Sequence, residues 1–210
     1  CALLVAYGIT ESGRRCVLGV SVELSEAEVH WRKFLELLIV RGLHGLKLIV
    51  SDNHVGLKAA RMSVFPSVPW QRCQFHLQQN ATAHIPRKSM QQEVHNDIRD
   101  VFNMPTRSDA EIQLKKLIEK YGKTAPDLSS WLENELPEGF TVFNVEPDSL
   151  NARRKLRTTN MVEFQNKELK KRTRCIRVFP NKESLLRIAT ALLIELDEKW
   201  LAEGKVYLKS

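Results

Sequence analysis

The chain has 210 residues, 43% of them hydrophobic and 27% charged, with a net charge of +7 and a pI near 9.3. That length suits one domain, or one domain carrying an inserted subdomain, and the apolar share is ample for a packed core. No apolar run approaches the ~20 residues of a membrane helix, and the stretch from Ala2 to Tyr7 is too short for a signal peptide and lacks a basic leader. Cys1, Cys16, Cys73 and Cys175 form no Cys-x-x-Cys pair. Their spacing argues against a disulfide framework and for a reducing cytoplasm.

The first run, residues 2–9, is nearly all apolar, as in a strand covered on both faces. It begins directly at Cys1, so an upstream segment is expected. After the turn Glu11-Ser12-Gly13, residues 16–24 place Leu18, Val20, Val22 and Leu24 in alternation. The two runs predict a β-hairpin. Ser25-Glu26-Ala27-Glu28 has the form of a capping box. The helix behind it shows Trp31, Phe34, Leu35 and Leu38 on one face and stops at Gly42. A strand over 46–50, a helix over 54–64 and a strand from Trp70 to Phe75 follow. The order β-β-α-β-α-β is an α/β pattern.

Residues 76–85, 89–103, 108–121 and 126–136 read as helices, with Ser108 a cap for the third and a short apolar patch at Phe140–Val145 the sole strand candidate. Two long helices close the chain, over 159–172 and 182–202. The second presents Leu185, Ile188, Leu192 and Leu196, with Gly204 just past its end.

All of the excess charge lies in one block. Residues 151–177 hold ten basic side chains (Arg153, Arg154, Lys155, Arg157, Lys167, Lys170, Lys171, Arg172, Arg174, Arg177) and two acids, Glu163 and Glu168. The other 183 residues hold 22 basic and 23 acidic groups. A focused patch of this kind suits a polyanion, nucleic acid above all, although a solvated helix face would look similar.

Among residues that carry chemistry, Asp52 follows a strand and precedes a helix. Ligands in α/β sheets bind at that strand end, and a carboxylate there suits a hard cation. It would equally cap the next helix. Glu163 stands in the first turn of a helix, where the dipole alone favours an acid. Yet it is one of two acids in the basic block, where a metal-holding carboxylate would sit among phosphate-binding cations. Glu168 is the competing acid. Cys73 and His76 form a Cys-x-x-His pair, but a structural zinc site needs a second pair, and none is evident. The sequence contains neither a Gly-x-Ser-x-Gly elbow nor a glycine-rich phosphate loop.

Four segments resemble the motifs of Mutator-type bacterial insertion-sequence transposases. Ser51-Asp52-Asn53-His54-Val55-Gly56-Leu57 resembles their second-aspartate motif. Trp70-Gln71-Arg72-Cys73-Gln74-Phe75-His76 resembles their Cys-x-x-His motif. The run from Thr158 to Thr173 is similar to their glutamate motif, and Phe179-Pro180-Asn181 follows at the family's spacing. Two departures stand out. Met161-Val162-Glu163-Phe164 replaces a small residue followed by Leu-Glu-Arg, and the family's first aspartate would precede residue 1.

The resemblance implies an α/β, ribonuclease-H-like mixed sheet lacking its first strand, made of residues 1–76 and 158–203, with an all-helical insertion over 77–157. It implies an Asp–Asp–Glu transposase that cleaves and joins DNA with Mg²⁺ or Mn²⁺, inactive as this fragment because the first Asp is absent. A non-catalytic DNA-binding remnant is the alternative. Asp52 and Glu163 would hold metal, with His76 in support. Lys167, Lys170, Lys171, Arg172 and Arg174 would contact the phosphates of double-stranded DNA, both element ends and target. A homodimer and a cytoplasmic, nucleoid-associated location belong to the same expectation.

Overall fold

The computed structural model describes residues 2–145, 149–173 and 181–208. In chain order the elements are β1 (Ala2–Ile9), β2 (Arg15–Glu23), α1 (Glu28–Val40), β3 (Ile49–Ser51), α2 (Val55–Val64), β4 (Trp70–Arg72) and α3 (Gln74–Ala81). They continue with α4 (Gln91–Phe102), α5 (Arg107–Gly122), α6 (Pro126–Glu135), α7 (Val142–Val145), α8 (Leu150–Leu156), α9 (Asn160–Thr173) and α10 (Lys182–Glu203). The architecture is mixed α/β and mostly helical, with two small sheets, and no helix among the described residues is long and apolar enough to cross a membrane. The chain forms two compact units: Cys1–Leu46, Asn53–Ser67 and Asn160–Ser210 make one, Lys47–Asp52 and Val68–Thr159 the other.

The first unit is built on the expected hairpin. β1 and β2 pair antiparallel from Ala2↔Glu23 to Ile9↔Arg15, with a bulge between Ala6 and Tyr7. Both faces are covered. Leu4 packs with Phe34 and Leu38 of α1, joined by Ala2, Ala6, Trp31 and Leu35. Tyr7 meets the Trp200 ring of α10 edge-on at 6.0 Å. β1 is less buried than its apolar run suggests: only Leu4 is fully buried, because among the described residues it pairs with β2 alone. Leu24 is 69% exposed, since it lies past the last pair of the ladder.

α10 closes the other face of β2. Asp197 accepts the Val17 N–H at 2.7 Å, and the Arg15 guanidinium lies 4.5 Å from the Trp200 ring centre. The buried positions of α10 are Ala189, Leu193 and Trp200. Leu185, Ile188, Leu192 and Leu196 are half-buried flanks of that stripe. The capping box before α1 does not form. The N-cap is Ala27, and Ser25 Oγ instead accepts the Ala27 N–H at 3.3 Å. Gly42 (φ 99°) follows α1 and Gly204 (φ 58°) ends α10, each in the left-handed region that glycine adopts most easily.

In the second unit, β3 and β4 pair parallel over three residues each, Ile49↔Trp70 to Ser51↔Arg72. The expected strand through Phe75 ends at Arg72, because Cys73 already caps α3. The core is helical: Leu77, Val94, Ile98, Phe102, Leu114, Leu117, Tyr121, Leu128, Leu132 and Phe140 are all buried together. Phe140–Val145 is not extended: Val142–Val145 forms α7, with Phe140, Val142 and Phe143 inserted into that core. Thr106, not Ser108, caps α5 by accepting the Asp109 N–H at 3.1 Å.

Two predictions follow from the first unit. A Cβ on Gly56 of α2 would lie 2.4 Å from Glu26 O and 2.9 Å from Glu28 N. Gly56→Ala therefore costs about 1–3 kcal/mol in urea denaturation, and a loss under about 0.5 kcal/mol would show that this crossing is not tight. Burial pushes the Tyr7 hydroxyl up to about 12. The folded chain thus keeps this proton above the ordinary value of about 10, and stability falls as pH rises from about 10 to 12. Tyr7→Phe should flatten that alkaline decline, read from denaturation midpoints across the same pH range.

Candidate functional site

The C-terminal end of the β3/β4 pair gathers the chemistry of the second unit. Asp52 leaves the end of β3 with an exposed side chain. Its carbonyl accepts the Ser51 hydroxyl at 2.8 Å, while its carboxylate has no hydrogen bond or ion pair among the described residues. Cys73 leaves the end of β4, and its N–H donates to Ser51 O at 2.7 Å, carrying the parallel ladder one step past the strands. Ser51 is held in turn by the Trp70 indole N–H, at 2.9 Å on its hydroxyl. His76 lies in the first turn of α3, half-buried, its ring edge-on to Phe75 at 5.8 Å.

The polar residues of β4 are buried and paired. Gln71 accepts the Val142 N–H at 2.8 Å and donates to Arg72 O at 2.6 Å. The Arg72 guanidinium bonds Glu138 at 2.9 Å and also Glu135. Cys73 is fully buried, and its Sγ accepts from the amide and the hydroxyl of Thr159, at 3.3 and 3.2 Å. The Gln74 N–H donates to Arg157 O at 2.9 Å. Residues 157–159 therefore lie across the start of α3, and the chain passes into α9 from a point fixed beside the β4 end.

The basic block divides by role. Arg153 is buried, its guanidinium donating to Met104 O at 3.2 Å and lying 4.9 Å from the Phe143 ring centre. Arg157 donates to Phe102 O at 3.0 Å and to Asn103 Oδ1 at 3.1 Å. Both arginines thus bind the carbonyl end of α4, where the helix dipole favours a cation. Burial pushes Arg157 down to about 10, with Arg154, Arg153 and Arg99 adding to the fall, so it stays charged at neutral pH. These two belong to the helical core and not to a polyanion surface.

On α9, Glu163 is half-buried in the first turn, and the competing acid Glu168 is half-buried too. Lys167, Lys170, Lys171 and Arg172 are exposed, and Arg172 bonds Glu195 of α10 at 2.9 Å. Arg174, with Cys175 and Arg177, lies outside the described residues. Asn181, last of the Phe179-Pro180-Asn181 motif, caps α10 by accepting the Ser184 N–H at 2.8 Å.

Residues 1–203 match the family described as Transposase, Mutator family. The chain belongs to this family. It is 51% identical over 208 residues to the transposase for insertion sequence element IS406 of Burkholderia multivorans, covering 99% of this chain and 53% of that protein. It is 37% identical over 204 residues to the ISRM5 transposase of Rhizobium meliloti, covering 97% and 50%. It is 32% identical over 210 residues to the IS256 transposase in Tn4001 of Staphylococcus aureus, covering 97% and 52%. The chain spans about half the length of these relatives.

In this Mutator-family chain, Asp52 and His76 fall in one compact unit and Glu163 in the other. The roles that sequence reading missed are those of the partners of β4 and of Arg153 and Arg157 at the end of α4. One signal was available: buried Gln71, Arg72 and Gln74 call for partners, and Val142, Glu135, Glu138 and Gly139 from the later helical segment supply several of them. For the arginines, Arg157→Ala leaves Phe102 O and Asn103 Oδ1 without their charged donor and should cost about 1.5–3 kcal/mol. Exposed Arg154→Ala should stay within about 0.5 kcal/mol. Equal costs in guanidinium denaturation would refute this division of the basic block.

Proposed function

We propose that this chain carries two of the three carboxylates of a DNA transposase site, Asp52 and Glu163, on a ribonuclease-H-like core of residues 1–76 and 158–203 interrupted by the helical insertion 77–157. Membership of the Mutator family supports the reading. The observation that carries it is the exposed Asp52 carboxylate at the C-terminal end of a parallel strand, where an oxygen donor is open to a hard cation. Asp52 and Glu163 would hold Mg²⁺ or Mn²⁺, which supplies activation of the attacking oxygen and stabilisation of the leaving oxygen when bound. His76 supports the site from the first turn of α3. Lys167, Lys170, Lys171 and Arg172 position the phosphates of double-stranded DNA, which carry register but not sequence. Arg172 can exchange its Glu195 partner for phosphate, because an exposed ion pair is worth at most about 1 kcal/mol. Element ends and target DNA are the substrates, and a homodimer in the nucleoid-bearing cytoplasm is the working assembly.

With two carboxylates assigned, these 210 residues by themselves bind metal weakly and do not cleave. The exposed cations of α9 favour a second reading, a DNA-binding remnant without catalysis.

A protein extended to the length of its relatives should cut element-end DNA in Mg²⁺ or Mn²⁺. Asp52→Ala and Glu163→Ala should each still bind that DNA but cut about 10²–10³-fold more slowly, the loss of several kcal/mol of charge stabilisation. Undiminished cutting by Glu163→Ala would transfer the role to Glu168. Salt-dependent binding with no cutting by any version would leave the remnant reading standing.

A further inference from the structure

Phe164 is 61% exposed, the one aromatic side chain among the described residues that is largely open to solvent. Its helix is the polar α9, in which Leu169 is the one buried residue among those whose side chains are described. Asn160, Phe164, Lys167 and Lys171 are all exposed. Their spacing of four, three and four residues aligns them in a single stripe along the helix. Neither Lys167 nor Lys171 has an ion pair among the described residues. The two lysines are about 6 Å apart along the helix axis, close to two base steps of ~3.4 Å in one strand. Glu163 flanks the same stripe, one residue before the phenyl and one turn before Lys167.

An apolar ring alone on a helix is unremarkable. A phenyl in line with two cations is the combination that binds a nucleic-acid strand whose bases are not all paired. Cations follow the backbone, and the ring offers a face to a base regardless of its identity. A stacked ring also suits the ends of a cleaved duplex, where a base is easily displaced from its neighbours.

We propose that Phe164 stacks on an unpaired base of the DNA strand whose phosphates Lys167 and Lys171 contact. This makes α9 a reader of frayed or single-stranded ends as well as of duplex backbone. The proposal rests on the reading of α9 as a DNA-binding helix.

The test uses the 210-residue chain and three labelled oligonucleotides: a blunt duplex, the same duplex with a 3′ unpaired extension, and that extension carrying 2-aminopurine. Phe164→Ala should weaken binding of the extended duplex about tenfold, change blunt-duplex binding less than about twofold, and abolish the 2-aminopurine quenching seen with the unaltered chain. Phe164→Trp should restore the quenching, and Phe164→Leu should not, because leucine offers area without a π-face. Lys167→Ala and Lys171→Ala should weaken both DNAs alike and each lower the salt slope by about 0.7–0.9. The side chain is exposed, so an unchanged thermal midpoint will show that each Phe164 variant is folded.

If the lysine variants behave this way while Phe164→Ala binds both DNAs as the unaltered chain does, or weakens both equally, the stacking role is overturned and the DNA reading survives. If the unaltered chain binds neither DNA, the reading of α9 falls, and this proposal with it.

Discussion

A parallel pair of strands three residues long has too few ladder bonds to stand by itself, and an isolated two-stranded sheet is marginal even when longer. The β3/β4 pair persists because most of the polar groups buried at its end are met from the helical segment around it. Gln71 is met by Val142, Arg72 by Glu135 and Glu138, and Cys73 by Thr159. A buried polar group without a partner costs about 1–3 kcal/mol, so these pairings decide whether the pair forms at all. They also decide where the chain lies before and after it. Asp52 projects from one end of this small scaffold, and the chain leaves it at Thr159, four residues before Glu163. The helical segment is thus more than a spacer between two carboxylates in the sequence, because it completes the strand end from which one of them projects.

This dependence shows why some of the structure was legible in the sequence and some was not. Period-2 and period-3.6 patterns gave the hairpin, α1, α2 and the long helices, since those elements follow from which residues must face a core. The shortening of β4 at Arg72 could not be read that way. Residues 70–75 have the composition of a strand, but Cys73 takes a helix N-cap position. Its bonds to Ser51 and Thr159 span 22 and 86 positions of chain. Phe140–Val145 failed as a strand for a related reason: an apolar run of six fits a buried helix turn equally well, and the helical core decided it. On α10, the apolar residues are numerous enough to describe several faces. Packing in the folded unit buried Ala189, Leu193 and Trp200 over the neighbouring leucines.

The charge pattern carries a similar lesson about what a local count can and cannot say. Ten basic residues in 27 positions do mark an unusual segment. Their purpose depends on which way each points once α8 and α9 form. Arg153 and Arg157 stand four apart on α8 and its cap, so they share one side. That side lies on the carbonyl end of α4, where two guanidiniums satisfy Phe102, Asn103 and Met104. On α9, helical spacing puts Lys167 and Lys171 on the solvent side with Phe164. The same composition therefore builds a buried helix clamp in one unit and an exposed cationic stripe in the other.

Asp52 and Glu163 occupy contrasting settings for two acids assigned one task. Asp52 projects into solvent from a strand end, its carboxylate without a partner among the described residues, a poor arrangement for stability but an apt one for a cation ligand. Glu163 gains from the N-terminal end of α9 whether or not it meets a metal. The Glu163 position alone therefore says less about function than Asp52 does. The exposed strand-end carboxylate is the stronger of the two candidate ligands, and family membership joins the second acid to it. An aspartate kept open at the end of a parallel strand, with its neighbours Ser51 and Cys73 locked in place, has a fixed origin and a free carboxylate, the condition a metal ligand requires.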